Sequence, residues 1–155
     1  MREETIEYVH VPPESTLPSL PKRACRIVVV LDQKVSETWQ AAVSQWIVDL
    51  GCLYMMAWGP SCSSWDDSVD DAVISEFPNT DTPDDRFIMT TWHEEDTLEE
   101  VFGFCHFAAF HPTIDLASVV ILHIAQEDRR DFMIKSYEAG IANWGNEFEE
   151  PSQNS

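Results

Sequence analysis

The sequence predicts a small three-layer α/β/α sandwich on a mostly parallel four-stranded sheet. Residues 27–31 read Ile-Val-Val-Val-Leu, so a strand built from them has no polar face and must be covered on both sides. Strand-like and helix-like patterns then alternate four times, and helical crossovers between parallel strands are almost always right-handed. Together these observations predict a central parallel sheet with helices on both faces.

The chain of 155 residues is large enough for one domain. Residues 1–24 contain four prolines and no helical period, which predicts an extended N-terminal arm with an extra edge strand. Residues 25–146 carry the alternating pattern and are predicted to form a single α/β domain. Residues 147–155 are predicted to be a disordered tail.

The first half of the pattern contains two apolar strands and the helix between them. After the strand at 26–32, apolar residues recur at spacings of three and four, as in an amphipathic helix. Ser36 is its predicted N-cap and Gly51 its left-handed C-cap. The second strand, Cys52–Trp58, is ended by a Gly-Pro pair.

The next helix follows a serine-rich loop. Its apolar residues run from Trp65 to Phe77, and Ser63 with Asp66 resembles a capping box. Residues 87–92 are the predicted third strand.

The last part of the pattern repeats this alternation. Asp96 with Glu99 predicts the start of the third helix, and Pro112 ends it. Residues 116–124 form the predicted fourth strand, and the last helix is predicted to start near Asp128.

We predict the strand order 2-1-3-4, because it places the first and third strands, taken as the most apolar, in the middle. This order of elements resembles flavodoxin-like and Rossmann-like domains in topology. The resemblance includes no binding motif, so it implies no residue roles.

In open α/β sheets, ligands bind beyond the carboxyl ends of the strands. The loops predicted there contain acids, histidines and tryptophans but no Lys or Arg to meet phosphate, and they lack glycine-rich phosphate-binding motifs. No cofactor is predicted. The polar and aromatic residues of this edge are Asp32, Gln33, Trp58, Trp92, His93, Glu94, His123, Gln126 and Glu127.

A thiol enzyme is one hypothesis for this edge. Cys62 precedes a helix, and His93 with Asp32 could complete a nucleophile, base and orienting group. Asp66 and Asp67 oppose this interpretation, because their charges raise the pKa of a nearby thiol. A metal-assisted hydrolase is a related hypothesis, but no HxH, HExxH or CxxC spacing is present, so no metal site is predicted.

Net charge is the outlying property of the composition. The chain has 28 acidic residues against 9 Lys and Arg, a net charge of −19, which disfavours nucleic acid and anionic membranes as partners. No secretory signal or membrane-spanning run is recognised, and four cysteines without CxxC spacing suit reduced thiols. The expected location is the cytoplasm.

Acidic residues cluster between positions 66 and 100, a segment that contains thirteen Asp and Glu and one basic residue, Arg86. Such a surface is expected on a protein that engages a basic partner. The predicted partner-binding acids are Asp66, Asp67, Asp70, Asp71, Glu76, Asp81, Asp84 and Asp85.

The third helix carries phenylalanines on two faces. Phe104, Phe107 and Phe110 point away from its predicted core face and are assigned to the partner-binding surface. The alternatives for their cover are the N-terminal arm through Tyr8, Val9 and Leu17, the last helix, a second copy in a homodimer, or another protein.

These observations predict a non-catalytic, acidic interaction protein that binds and occludes a basic protein, as an immunity protein or inhibitor does. The alternative is a small thiol-dependent or metal-assisted hydrolase with its site at the carboxyl edge of the sheet.

Overall fold

The computed structural model describes residues 4–78, 82–83, 86–112 and 114–153, with side chains to residue 144. In these residues the chain forms a five-stranded sheet flanked by helices. The elements, in chain order, are β1 (Thr5–Val11), β2 (Cys25–Leu31), α1 (Glu37–Leu50), β3 (Cys52–Trp58), α2 (Ser63–Glu76), β4 (Met89–His93), α3 (Leu98–Phe107), β5 (Ser118–Ile124) and α4 (Arg130–Gln153).

The fold class is confirmed. The strand order is β1-β5-β2-β3-β4, and each neighbouring pair is parallel. Helices α1 and α2 pack on one face, and α3 and α4 on the other. All seven residues of β2 are buried, as expected for a run without a polar face, and β1 supplies the predicted extra edge strand.

The predicted strand order 2-1-3-4 is wrong. Counting from β2 as the first strand, the observed order is 4-1-2-3, so the predicted third strand, β4, lies at an edge. No residue of β4 is fully buried, whereas six of the seven residues of β5 are. A strand with two Thr and a His among five residues suits an edge, because only one of its sides is covered by another strand.

The chain reverses its winding between β2 and β5. From β2 it moves outward through β3 to β4 over one face, and α3 then carries it back across the other face to β5. The order of β4, β3, β2 and β5 matches the first four strands of the doubly wound order 3-2-1-4-5-6. The carboxyl ends of β2 and β5 therefore border the crevice where ligands bind in such sheets.

Residues 12–24 of the arm lie along α1. The indole Nε1 of Trp39 donates to the Ser15 carbonyl, and that of Trp46 donates to the Pro18 carbonyl, both at 2.8 Å. Leu17 packs with this side of the core. Leu17 therefore packs on the α1 side of the sheet rather than over α3, while Tyr8 and Val9 lie in β1.

Helix α1 has the predicted caps. Ser36 Oγ accepts from the backbone N–H of Trp39, and Gly51 is left-handed with φ of 105°. A Cβ at Gly51 would lie 2.4 Å from the Arg23 carbonyl oxygen, so a side chain is excluded by space as well as by φ.

The predicted caps of α2 and α3 are wrong in detail. Ser63 is the first residue of α2 rather than its cap, and the Asp66 carboxylate accepts from the Thr90 hydroxyl of β4 instead. The capping box of α3 pairs Thr97 with Glu100, one residue later than predicted.

Helix α4 includes residues 147–153, which the sequence predicts to be tail. Residues 154–155 lie outside the described part. Within the described residues, none of the helices combines the length and the apolar character needed to cross a bilayer.

Candidate functional site

A cavity of about 490 Å³ opens where the winding reverses. We call it the carboxyl-edge cavity. Its walls come from the ends of β2, β3 and β5 and from the first turns of α3 and α4. The lining residues are Asp32, Trp58, Thr97, Leu98, Glu99, His123, Arg129, Phe132, Met133 and Ser136.

A chain of hydrogen bonds lies at the base of this cavity. His123, fully buried in β5, places Nε2 3.0 Å from Asp32 Oδ1 and Nδ1 2.8 Å from the Tyr8 hydroxyl. The backbone N–H of Arg129 donates to the Tyr8 oxygen at 2.9 Å. These hydrogen bonds therefore join β1, β2, β5 and the start of α4.

The directions of these bonds follow from the groups involved. An ionised carboxylate only accepts, so His123 Nε2 carries the proton shared with Asp32. Burial raises the pKa of Tyr8, which keeps its hydroxyl protonated and able to donate to Nδ1. The result is one fixed ring orientation that holds the Asp32 carboxylate in place.

In this series of hydrogen bonds, Asp32 is the end that faces solvent. Its side chain is 48% exposed, whereas that of His123 is fully buried. A half-exposed carboxylate held by a buried imidazole can accept a hydrogen bond from a ligand without first being ordered.

Arg129 also lines the cavity, so the expectation of an edge without Lys or Arg is wrong. Its guanidinium lies 4.4 Å from the centre of the Phe132 ring, a cation–π contact. The side chain was missed because it lies beyond the end of β5, after an acidic stretch, and only the start of α4 brings it back to the edge.

The predicted thiol arrangement is not formed. Asp32 pairs with His123, whereas His93 bonds Thr91 at 2.9 Å and Asp96 at 2.8 Å through its two ring nitrogens. Cys62 is fully buried, and this burial raises the pKa of its thiol. Both effects oppose a thiolate nucleophile at this position.

Metal-ligating side chains are not gathered at the predicted edge. Over the described residues, no group of three or more His, Cys, Asp and Glu is arranged to hold an ion. His93 is instead held by Thr91 and Asp96, and Asp66 by Thr90.

The predicted acidic residues of α2 form an exposed surface, which we call the acidic face: Asp67, Asp70, Asp71 and Glu76. All four are exposed, whereas Asp66 is half-buried. Glu76 accepts from Arg86 at 2.7 Å. Partial burial and the neighbouring carboxylates of residues 66, 67 and 71 raise the pKa of Asp70. Asp81, Asp84 and Asp85 lie outside the described residues.

Large apolar side chains are also exposed on α2 and on the neighbouring strand β4. Ile74 of α2 is 61% exposed, and Trp92 of the edge strand β4 is 46% exposed. Ile74 lies one turn beyond Asp70 and Asp71 on the helix. Carboxylates and apolar groups therefore share the surface formed by α2 and β4, which pack against each other.

The three predicted phenylalanines of α3 differ in their surroundings. Phe104 packs against Tyr54 and His93, with ring centroids 6.2 and 5.1 Å apart. Phe107 stacks on Trp144 of α4 at 5.9 Å but stays partly exposed, and Phe110 is exposed. The last helix thus contributes cover to Phe107.

Sequence reasoning missed the link between Tyr8 and His123. The available signal was a histidine inside an otherwise apolar strand, since such a residue needs a buried partner. The partner itself was not identifiable, because Tyr8 precedes His123 by 115 residues.

A family model described as a domain of unknown function (DUF7684) matches residues 6–140. The match includes β1 to β5 and the first part of α4. No curated protein matches the chain, and no solved structure matches it.

Proposed function

The chain belongs to the DUF7684 family of domains of unknown function, and we propose that it is a non-catalytic acidic protein that binds and occludes a basic protein partner. The occlusion would resemble that of an immunity protein or an inhibitor. The proposal concerns the surface of α2 and β4 rather than the carboxyl-edge cavity.

The observation that carries this proposal is the acidic face with its exposed apolar neighbours. Asp67, Asp70 and Asp71 place three exposed carboxylates close together on one helix. Ile74, one turn further along the same helix, and Trp92 of β4 offer exposed apolar area to a partner. Protein interfaces combine apolar area with a polar rim, and exposed side chains of both kinds occur on α2 and β4.

The net charge of the chain also favours rapid association with a basic partner. The net charge of −19 attracts a basic protein over distances up to the Debye length, which is about 8 Å at physiological salt. Complementary charge raises the association rate and rejects acidic competitors. The enzyme alternative has no comparable support, since Asp32 pairs with His123 and the His93 ring pairs with Thr91 and Asp96.

The test compares two variants of equal net charge. The first, Asp67→Asn with Asp70→Asn and Asp71→Asn, removes three charges from the acidic face. The control removes three exposed acids elsewhere: Glu37→Gln, Asp49→Asn and Glu138→Gln. Each immobilised protein is exposed to a lysate of its source cells, and captured proteins are identified by mass spectrometry.

We expect wild type and control to capture the same basic protein, and the acidic-face variant to lose it. The affinity of the purified pair should fall by roughly tenfold or more between low and high salt. Equal capture by both variants, capture of no basic protein, or a salt-independent affinity would each contradict the proposal.

A further inference from the structure

The geometry points to the carboxyl-edge cavity as a binding site for a small organic amine. Such a ligand has an apolar or aromatic group and one protonated amino group. This site is separate from the acidic face and does not depend on the proposed function. It rests on the cavity's walls, on the carboxylate fixed at its base and on the sign of the charges around it.

The walls suit an apolar body. The volume of about 490 Å³ lies within the ~300–1,000 Å³ of small-molecule sites. Trp58, Leu98, Phe132 and Met133 provide aromatic and aliphatic surface. The polar end of the Trp58 indole is already bonded, since Nε1 donates to the Asp96 carbonyl at 2.8 Å, so the indole offers mainly its apolar surface.

Asp32 is the group that would bind the amino group. His123 holds its Oδ1 at 3.0 Å, while the exposed part of the side chain meets solvent at the cavity. A carboxylate accepts a short, charge-assisted hydrogen bond from an ammonium group. Because the buried imidazole already orients the carboxylate, binding would cost little additional ordering.

The same hydrogen-bond chain positions the opposite wall. Tyr8 accepts from the backbone N–H of Arg129, which lies at the beginning of α4. The first turn of that helix carries Phe132 and Met133 into the lining. One continuous set of bonds thus sets the distance between the carboxylate and the apolar wall, as preorganised sites require.

The charges at the cavity favour a cation over an anion. Asp32 and Glu99 are the acids of the lining, and Arg129 is its base. The guanidinium of Arg129 lies over the Phe132 ring, a cation–π contact, and the two carboxylates of the lining outnumber it. The field of a chain with net charge −19 adds to the attraction for a cation.

The experiment uses two probes that share a phenylethyl group and carry opposite charges, 2-phenylethylamine and 3-phenylpropionate. Calorimetric titration of the full chain measures binding of each probe to wild type, to Asp32→Asn and to Glu127→Gln. The Asp32→Asn substitution keeps a side-chain oxygen to accept from His123 while removing the charge. Glu127 is an exposed acid of the same edge that does not line the cavity, so its variant is the matched control.

We expect wild type and Glu127→Gln to bind the amine equally, and Asp32→Asn to bind it roughly tenfold or more weakly. None of the three proteins should bind the carboxylate probe measurably. Unchanged amine affinity in Asp32→Asn, or a wild type that binds the carboxylate as well as the amine or binds neither probe, would overturn the inference. If Asp32→Asn does not fold, the comparison of the two probes on wild type decides.

Discussion

Arg26 is a fully buried charged residue at the start of the central strand β2. Its Nη2 donates to Glu4 Oε2 at 2.5 Å, and its Nη1 donates to the Cys105 carbonyl. The other Glu4 oxygen accepts from Tyr137 at 2.8 Å and from His106 at 2.9 Å. Glu4 therefore supplies the counter-charge and joins β2, α3 and α4.

Replacing Glu4 by Gln should lower the free energy of unfolding by about 3–5 kcal/mol, because the Arg26 guanidinium would stay buried without an opposite charge. Urea unfolding followed by circular dichroism measures the change. Glu7→Gln is the control, since Glu7 pairs with Arg23 at 2.5 Å with both side chains partly exposed. Its cost should stay within about 1 kcal/mol, and equal costs for both variants would contradict the argument.

The same carboxyl predicts a pH dependence. Burial by itself raises the pKa of Glu4, but hydrogen bonds from His106 and Tyr137 and the charge of Arg26 outweigh it, and the pKa is held below its ordinary 4.5. A depressed folded-state pKa gives stability that is complete above the ordinary value and lost as the pH falls through the folded-state value. The stability difference between wild type and Glu4→Gln should therefore narrow below pH 4.5, and a constant difference would refute this.

Cys62 allows a direct test of the thiol hypothesis. Its burial and raised pKa leave little thiolate at neutral pH, and the thiolate is the reactive form. In native protein we expect iodoacetamide to modify Cys62 no faster than Cys25, Cys52 or Cys105, as measured by peptide mass spectrometry. Unfolded protein should react at all four, which serves as the control. Selective fast labelling of Cys62 would restore the enzyme alternative.

At the scale of elements, a small number of hydrogen bonds hold the N-terminal arm against α1. The arm turns at Glu14, whose carboxylate accepts from the backbone N–H and the hydroxyl of Ser36, both at 2.7 Å. Ser36 is also the N-cap of α1. The arm and the start of the helix are therefore ordered together.

Removing the two indole donors should loosen this arm. In the double variant Trp39→Phe with Trp46→Phe, the carbonyls of residues 15 and 18 lose hydrogen bonds that are each worth about 1 kcal/mol. We expect trypsin to cleave after Lys22 roughly tenfold faster, with α1 intact by circular dichroism.

The control for the arm is Trp92→Phe, which changes an exposed indole on β4 and should leave cleavage after Lys22 unchanged. An unchanged cleavage rate in the double variant would show that the indole hydrogen bonds do not hold the arm, which would leave the Glu14–Ser36 bonds and the packing of Leu17 and Leu20.

Local sequence patterns predicted which helices and strands form better than they predicted the residues at which these elements begin and end. Ser36 and Gly51 were found because an N-cap and a left-handed glycine act within one turn of α1. The cap assigned to Asp66 failed because its carboxylate bonds Thr90, twenty-four residues away. The prediction that Asp96 caps α3 failed because its carboxylate pairs with His93 across the turn before the helix. A capping residue can be recognised from sequence only if no other group competes for its side chain.

At the scale of the whole molecule, strand order decides which residues can act together. The order predicted from apolar content would have put β4 beside β2 and His93 near Asp32. The observed order places β5 beside β2, so that His123 meets Asp32 across 91 residues of sequence. Neither the carboxyl-edge cavity nor its hydrogen-bond chain was predictable without that neighbour relation.

The amino-acid sequence by itself determined the α/β class, the alternation of strands and helices, the burial of β2 and the net charge. These properties follow from composition and from the periodicity of apolar residues, which report how each element is covered. Only the tertiary structure decided the order of the strands, the path of the arm and the pairing of Asp32 with His123 and Tyr8. Such pairings depend on where each crossover returns to the sheet, and no periodicity within a single element records that.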